Sequence, residues 1–370
     1  VRVTGLDRNG RRIWIDGEDF LARAFQHEVD HLSGVLYVDK ARRVVELPPE
    51  TEYRIVFMGT SDFAVPILRR LGQHGCKLVG VVTQPDRPRG RGNVVLPSAV
   101  KRQALEYQIP ALQPETARDA AFLQDLKSLR PDIIVTAAYG QILPDAVLEI
   151  PKVAALNVHP SLLPALRGPA PIPWALLQGL DKTGVSIQYM TAHVDAGDLL
   201  LQQEVPILPD DDAGSLSARL ADVGAELLVK ALHQIAVGEV QPWSQDEARA
   251  SRAPKIDAQL ELLDWTLSAE ELSRRVRALS PKPGCRTVYR GETMKIFRLQ
   301  PLDETQIGES IAVSVPGTVA GVDERGLVVA CAPHGEGRVR ITELQPAGKR
   351  RMSASDFLRG HAIEPGERLG

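Results

Sequence analysis

The chain has 370 residues, is 44% hydrophobic and 25% charged, and carries a formal net charge of −3. These values are typical of a globular protein of two or three domains, and no apolar run approaches the roughly 18 residues of a membrane helix. The three cysteines are widely spaced and the first residues do not resemble a signal peptide, so we expect a cytoplasmic protein without disulfides or a zinc cluster.

Residues 1–46 differ from the rest of the chain and contain a His-Glu-x-x-His pattern. Two short strands, 1–6 and 12–15, precede a helix from about Gly17 that carries His27, Glu28 and His31. Residues four apart share one face of a helix, so the two histidines could hold a metal with Glu28 as general base. Residues 26–39 resemble the end of the peptide deformylases, a family that also needs an upstream cysteine ligand. None precedes this segment, so we expect a truncated remnant, with His27 and His31 an incomplete site that binds no metal.

Residues 47–52 are predicted to be a linker, after which strands and helices alternate. This alternation predicts a parallel, doubly wound, Rossmann-like sheet in a catalytic domain over 53–237. A Gly-x-Gly-x-x-Gly turn is missing after the first strand, which disfavours a dinucleotide site. The predicted strands are 54–58, 77–82, 133–138, 155–158 and 185–190.

Asn157 and His159 end one of these strands, just before Pro160. Side chains two apart in a strand project from the same face, and open α/β sheets bind ligands at the carboxyl ends of their strands. An amide donor and an imidazole suit a reaction in which negative charge develops on an oxygen. A simple strand end with a hydrogen-bonded histidine is the alternative.

Two turns are expected to reach the same edge. One is 139–144, and the other, 193–198, contains Asp195, which we expect to orient His159. Spacing alone leaves Asp198 and His193 as rivals.

The segment 83–92 is rich in Gly and Pro and predicts neither helix nor strand. Its three arginines, Arg87, Arg89 and Arg91, could bind phosphates, although a solvated surface loop would look the same.

A helix is predicted over 213–237, followed by a polar connector, 238–256, and a final domain, 257–370. Ser268 to Glu271 predicts the start of a helix that ends at Leu279, and short β segments separated by glycines then predict a small OB-like barrel. Basic residues cluster in this domain, which favours a phosphate-rich partner over a merely solvated face. We select Arg274, Arg275, Arg277, Lys282, Arg286, Lys349 and Arg350.

The run Asn157 to Pro164, together with Asp195-Ala196-Gly197, resembles the folate-dependent formyltransferases. Within that group the resemblance is closest to those acting on methionyl-tRNA, and it covers about 53–366. The segments that carry it include 57–63, 83–92, 167–172, 253–256 and 344–352.

The resemblance implies formyl transfer from 10-formyltetrahydrofolate to the α-amino group of methionine on initiator tRNA, without a metal, by a monomer. Asn157 and protonated His159 are expected to stabilise the oxyanion, with Asp195 supporting His159. The tRNA contacts are assigned to the three arginines of segment 83–92 and to the basic residues of the last domain. Within that segment, Arg91 matches the arginine that family members use near the acceptor end of the tRNA. Folate binding is assigned to Ser161, Leu162, Leu163, Pro164, Tyr139, Gly140, Gln141, Ile142 and Leu143.

Three alternatives remain open from the sequence. The folate chemistry could act on another amine, such as glycinamide ribonucleotide or a nucleotide sugar, or on water. A deformylase-type metallohydrolase would use His27, Glu28 and His31 instead. A tRNA-binding protein without catalysis would need only the barrel, and the intact trio of Asn157, His159 and Asp195 argues against it.

Overall fold

The computed structural model describes residues 2–6, 12–16, 29, 52–89, 94–303, 315–335 and 337–370. The chain divides into two compact units, Val1–Pro48 and Pro49–Gly370. In the described residues, no helix combines the length and the apolar character needed to cross a bilayer.

The first unit contains an antiparallel pair of strands, β1 (Arg2–Leu6) and β2 (Arg12–Asp16). This pair confirms the two short strands predicted there. His27, Glu28 and His31 lie outside the described residues.

The second unit begins with a seven-stranded sheet in the order β11-β10-β9-β8-β3-β4-β7. Its strands are β3 (Arg54–Gly59), β4 (Lys77–Val82), β7 (Ala111–Leu112), β8 (Ile133–Ala137), β9 (Ala154–His159), β10 (Lys182–Tyr189) and β11 (Leu199–Pro206). The helices around it are α1 (Ala64–Gln73), α2 (Ala99–Glu106), α3 (Ala120–Ser128), α4 (Asp145–Leu148), α5 (Pro171–Leu177) and α6 (Ala213–Ala236).

Five of these strands run parallel, as predicted, but β10 and β11 are antiparallel to their neighbours. The sheet is therefore mixed. In the register of β9 and β10, His159 faces Ser186 and Leu156 faces Tyr189. The end of β10 thus points away from the edge where β9 ends, and the turn after it must fold back to approach His159.

The core lies on both faces of this sheet. The parallel strands read as nearly continuous apolar runs because both faces are covered; Ile133, Ile134 and Val135, for example, are completely buried. Helix α6 begins with a capping box in which the Asp212 carboxylate and the Ser215 hydroxyl bond each other's backbone N–H groups. Two N–H groups that the helix leaves unbonded are thereby satisfied.

The arginine-containing segment differs from its prediction. Residues Arg87–Arg89 (β5) and Val94–Leu96 (β6) pair as short antiparallel strands. Two strands of three residues can pair even in a sequence rich in Gly and Pro, because within them only Pro88 lacks a backbone N–H. Arg91 lies outside the described residues, as does the Arg89 side chain.

The C-terminal part contains helix α7 (Ala269–Leu279) and an antiparallel sheet in the order β12-β13-β16-β15-β14. The capping box of Ser268 and Glu271 confirms the predicted helix start. The other elements are β12 (Cys285–Tyr289), β13 (Glu292–Leu302), β14 (Val319–Asp323), β15 (Gly326–Cys331), β16 (Gly337–Gln345), β17 (Met352–Ser353) and α8 (Ala354–Gly360).

The last residues of the chain join the two edges of this sheet. Leu369 bridges to Tyr289 of β12, and Arg368 bridges to Thr318, next to β14. The Leu369 and Gly370 N–H groups donate to the carbonyls of Gly317 and Val288 at 2.7 and 2.8 Å. The sheet consequently curls far enough for one segment to contact both of its edge strands.

Candidate active site

Three polar side chains lie side by side on one face of the sheet, from three adjacent strands. In the registers of β8, β9 and β10, Asn157 is paired with Thr136 on one side and Gln188 on the other. The Thr136 hydroxyl donates to Asn157 Oδ1 at 2.8 Å, which turns the amide nitrogen toward the open side of the site. Asn157 Nδ2 donates to Asp195 Oδ1 at 3.3 Å, and an amide carries a second N–H that a substrate can use.

His159 lies two residues further along β9 and is 4% exposed. Its Nε2 is 3.1 Å from the Leu166 carbonyl, and its Nδ1 is 3.5 Å from Asp195 Oδ1. Each ring nitrogen of His159 therefore has an oxygen nearby, a backbone carbonyl at Nε2 and a carboxylate at Nδ1.

Asp195 reaches this site through a turn that folds back over the end of β10. Its carboxylate accepts from the Gly168 N–H at 2.8 Å on one oxygen and from Gln188 Nε2 at 3.0 Å on the other. Its backbone has φ +55°, a left-handed conformation that Asp adopts more readily than most residues. The sequence prediction placed Asp195 at a carboxyl end shared with parallel strands; it arrives instead from an antiparallel strand.

Asp198 and His193, the rivals left open by spacing, are exposed. Gln188 and Thr136 were not selected from the sequence. Gln188 could have been selected from the sequence, because Ser186 and Gln188 are polar residues at alternate positions of a predicted strand. Both are buried, and buried polar groups need hydrogen-bond partners.

The predicted folate run 161–164 follows β9 and is anchored by hydrogen bonds. The Ser161 hydroxyl donates to the Ala165 carbonyl at 2.6 Å, and the Leu163 N–H donates to Ser186 Oγ at 3.1 Å. Gln202 Nε2 donates to the Leu163 carbonyl at 2.7 Å. Ser161 and Leu163 are buried, whereas Leu162 and Pro164 are partly exposed, so the run offers a fixed wall with two accessible side chains.

The turn 139–143 follows β8 and offers a different surface. Ile142 is 70% exposed, while Leu143 and Tyr139 are buried. Burial raises the pKa of Tyr139 to about 12. Gln141 fixes the turn by accepting from the Ala117 N–H at 2.7 Å. At Gly140, with φ +90°, an added Cβ would lie 3.8 Å from Gln84 Nε2, an ordinary contact distance.

The predicted tRNA-binding residues fall into two groups. Arg274 packs over Gly179 of the catalytic domain, where an added Cβ would overlap its guanidinium, and Arg277 donates to the Asp211 carbonyl at 3.3 Å. Arg275 donates to the Leu262 carbonyl, and Arg286 pairs with Glu261 at 3.2 Å. The exposed members are Arg87, Lys282, Lys349 and Arg350.

A metal centre finds no support in the part of the chain that the structure describes. No group of three or more His, Cys, Asp or Glu residues lies close enough there to bind an ion. The arrangement around Asn157 instead provides N–H donors, an imidazole and a carboxylate, which are the groups of acyl-transfer and proton-transfer chemistry.

Comparison with known families and proteins agrees with this chemistry. The formyl transferase family matches residues 53–232, and its C-terminal domain family matches residues 255–362. The polypeptide deformylase family matches residues 1–46.

Curated relatives cover most of the second unit. A methionyl-tRNA formyltransferase of Bacillus subtilis is 46% identical over 317 residues, which are 86% of this chain and 98% of the relative. One from Halalkalibacterium halodurans is 47% identical over 307 residues, covering 83% and 94% of the two chains. The structure of HypX from Aquifex aeolicus in complex with tetrahydrofolic acid has a TM-score of 0.56 at 19% identity over 83% of this chain and 47% of that one, which shows a shared fold. On this evidence the chain belongs to the methionyl-tRNA formyltransferase family.

Proposed function

We propose that this chain transfers the formyl group of 10-formyltetrahydrofolate to the α-amino group of methionine on initiator methionyl-tRNA, for translation initiation. The observation that carries the proposal is the cluster of Asn157, His159 and Asp195, here called the catalytic cluster. Asn157 Nδ2 and His159 Nδ1 lie 3.3 and 3.5 Å from the same atom, Asp195 Oδ1. The names of the relatives support the tRNA acceptor, and a structural neighbour in complex with tetrahydrofolic acid supports the folate donor.

The residues assigned to folate fit a flat, partly apolar molecule. An exposed Ile142 near Gly140, which has no side chain, suits a ring system, since apolar side chains gain free energy when a ring covers them. The anchored run 161–164 would form the other wall. When bound, the folate supplies an activated formyl group, and the surrounding side chains stabilise the developing charge and accept the proton.

Charge stabilisation is the role we assign to Asn157 and His159. As the methionine amine bonds to the formyl carbon, negative charge develops on the formyl oxygen. The second N–H of Asn157 can donate to it. In the imidazolium form that we propose, His159 Nε2–H donates to the Leu166 carbonyl. Because the 3.5 Å between Nδ1 and Asp195 Oδ1 exceeds a normal hydrogen bond, Nδ1–H remains available to donate to the developing charge.

Asp195 has two tasks in this proposal. Its negative charge lies beside the imidazolium and stabilises it. Its carboxylate, whose side chain is 12% exposed, can also accept the proton that the methionine amine loses, directly or through a water. The bond between the formyl carbon and the folate nitrogen then breaks, and this proton passes to the departing nitrogen, which leaves tetrahydrofolate and the formylated amine. Donors on both carboxylate oxygens of Asp195 fix its position for either task.

The tRNA would be bound by Arg87, Arg89 and Arg91 of segment 83–92, and by the exposed basic residues of the C-terminal domain. We divide the chain functionally into 53–237 for catalysis, 238–256 as connector and 257–370 for tRNA. The curled sheet with its bridged edges supports an OB-like barrel, a fold suited to oligonucleotides. A charged-tRNA substrate and three buried cysteine thiols fit a cytoplasmic monomer.

The proposal is tested by supplying the protein with 10-formyltetrahydrofolate and charged initiator tRNA, and by measuring N-formylmethionine released from the tRNA by base. Parallel reactions offer glycinamide ribonucleotide or an amino-sugar nucleotide as the acceptor. Formylation of the tRNA alone is expected. Preferential formylation of a small amine would contradict the proposal.

A further inference from the structure

Gln245, a connector residue, reaches back into the turn that carries Asp195. Its Nε2 donates to the Asp195 carbonyl at 2.9 Å and to the Gly197 carbonyl at 2.7 Å. The connector is itself anchored nearby, because Trp243 and Leu199 exchange backbone hydrogen bonds of 2.9 and 3.1 Å. One side chain from outside the catalytic domain thus bonds to the main chain on both sides of Ala196.

The turn needs such support because of its conformation. Asp195 is a left-handed residue with a Cβ, a state that is held only when its surroundings determine it. An amide that donates to the carbonyls of both Asp195 and Gly197 restrains the rotation of the peptide units between them. The direction of the Asp195 carboxylate depends on these same units.

The other end of the Gln245 amide is bonded to a second loop of the site. Its Oε1 accepts from Arg167 Nε at 3.1 Å and from Arg167 Nη2 at 2.8 Å. The next residue, Gly168, donates its N–H to the Asp195 carboxylate. Gly168 has φ +121°, and an added Cβ would lie 2.8 Å from the Ala253 carbonyl, so the connector also packs directly on this loop.

We propose that Gln245 is a positioning residue for formyl transfer, which fixes Asp195 by joining its turn to the loop of Arg167 and Gly168. This inference rests on the proposed function, since it acts through Asp195. It makes the connector part of the active site: the chain that leads to the C-terminal domain also sets the geometry of the carboxylate. A C-terminal domain engaged on tRNA would then hold the connector, and with it Asp195, in place.

The test compares Gln245→Ala, Gln245→Glu and Gln241→Ala by single-turnover formylation of charged initiator tRNA at saturating folate, together with KM for both substrates. Gln241 is an exposed glutamine on the same connector and serves as the matched control. Misplacement of a catalytic group typically costs on the order of 10–10² in rate. We expect such a loss for Gln245→Ala, unchanged KM values and a wild-type rate for Gln241→Ala.

Two further variants distinguish a positioning role of Gln245 from a general loss of folded structure. Gln245→Glu keeps acceptors for Arg167 but loses both N–H donors, so it should be as slow as Gln245→Ala. In an Asp195→Asn background, Gln245→Ala should cause no further loss, because coupled residues are not additive.

A wild-type rate in Gln245→Ala or Gln245→Glu, an equal fold-loss in both backgrounds, or a change confined to KM would overturn the positioning role. The wild-type arm separates the two claims: no formylated tRNA there refutes the proposed function, whereas normal wild-type product with a normal Gln245→Ala rate refutes only the positioning role.

Discussion

The catalytic cluster and the basic residues of the C-terminal domain differ in solvent exposure and in the number of polar partners. His159 and Asp195 are nearly buried, with exposed side-chain fractions of 5% and 12%, and donors contact both oxygens of Asp195. Lys282 and Arg350 are exposed, and neither has an ion-pair partner among the described residues. Reacting groups must be fixed before the substrate arrives, whereas phosphates are bound by exposed charges that displace counterions.

Burial therefore separates the two functions that we propose for these regions. A buried charge is tolerated only where partners compensate its lost hydration, so each buried member of the catalytic cluster depends on several neighbours. Exposed charges act nearly independently. Substitutions in the first region should have large, coupled effects, and substitutions in the second should have small, additive ones.

The largest effect is expected for Asn157→Ala and His159→Ala. Loss of one donor to a developing negative charge should lower the single-turnover rate by about 10²–10³ with little change in thermal midpoint. Asp195→Asn against Asp198→Asn supplies a matched pair, since only Asp195 contacts Asn157. A low single-turnover rate in Asp198→Asn together with a normal rate in Asp195→Asn would show that Asp198, and not Asp195, is the carboxylate that the reaction needs.

Asp211 is a buried charge outside the catalytic cluster, and the stability of the fold should depend on its partners. It is 4% exposed and pairs with Arg219, while the Leu208 N–H donates to it at 2.7 Å. Burial alone would raise the pKa of Asp211, but these hydrogen bonds and that of Ser215 outweigh it and lower the pKa below 3.8. Asp211→Asn should cost about 1–3 kcal/mol of unfolding free energy at neutral pH, measured by urea titration.

The sign of the pH dependence follows from the lowered pKa. The ionised carboxylate stabilises the fold fully above the ordinary value of 3.8, and this contribution disappears as the pH falls through the lower folded value. The difference between wild type and Asp211→Asn should therefore shrink in strong acid. Asp210→Asn, a change of an exposed neighbour, should show no difference at either pH.

A smaller effect is expected at the basic surface. Lys282→Ala should weaken the binding of all tRNA sequences to a similar extent. The slope of the logarithm of the tRNA association constant against the logarithm of salt concentration should become shallower by about one. Arg290, which is exposed but paired with Glu367 at 2.9 Å, is the control, and Arg290→Ala should leave the slope unchanged. Equal slopes for Lys282→Ala and wild type would remove Lys282 from the tRNA surface.

The smallest effect is expected from deletion of residues 1–48. The formyl transferase family match begins at residue 53, and the Bacillus subtilis relative is matched over 98% of its length by 317 residues of this chain, so we expect the reaction not to require the segment. Formylation kcat/KM should be unchanged. A large loss would show that the deformylase-like segment contributes to the reaction.

Much of this arrangement was predictable because local patterns specify it. The apolar runs of 54–58 and 133–137 predicted parallel strands, Ser268 and Glu271 predicted a helix start, and Asn157 and His159 predicted a shared face. Each signal arises from residues a few positions apart. The resemblance carried by the run Asn157 to Pro164 then supplied the family, which the comparisons confirm.

What escaped prediction depends on pairing between distant segments. Strand direction in β10 is decided by its neighbours, and an apolar strand looks the same in either direction. Gln188 enters the site only through its register with Asn157, and Gln245 only through a connector that returns to residues about 50 and 80 positions earlier. The roles of the site residues and the tRNA contacts stay predictions.

The bridged edges of the C-terminal sheet have a consequence for how this domain folds. Gly370 bonds Val288, 82 positions earlier, so the loop that closes the sheet is long and its entropic cost is met late in folding. Until residues 366–370 dock, two edge strands expose unpaired N–H and C=O groups, the surfaces through which chains associate. Refolding yield should therefore fall as protein concentration rises, and the amides of 366–370 should gain protection from hydrogen exchange last.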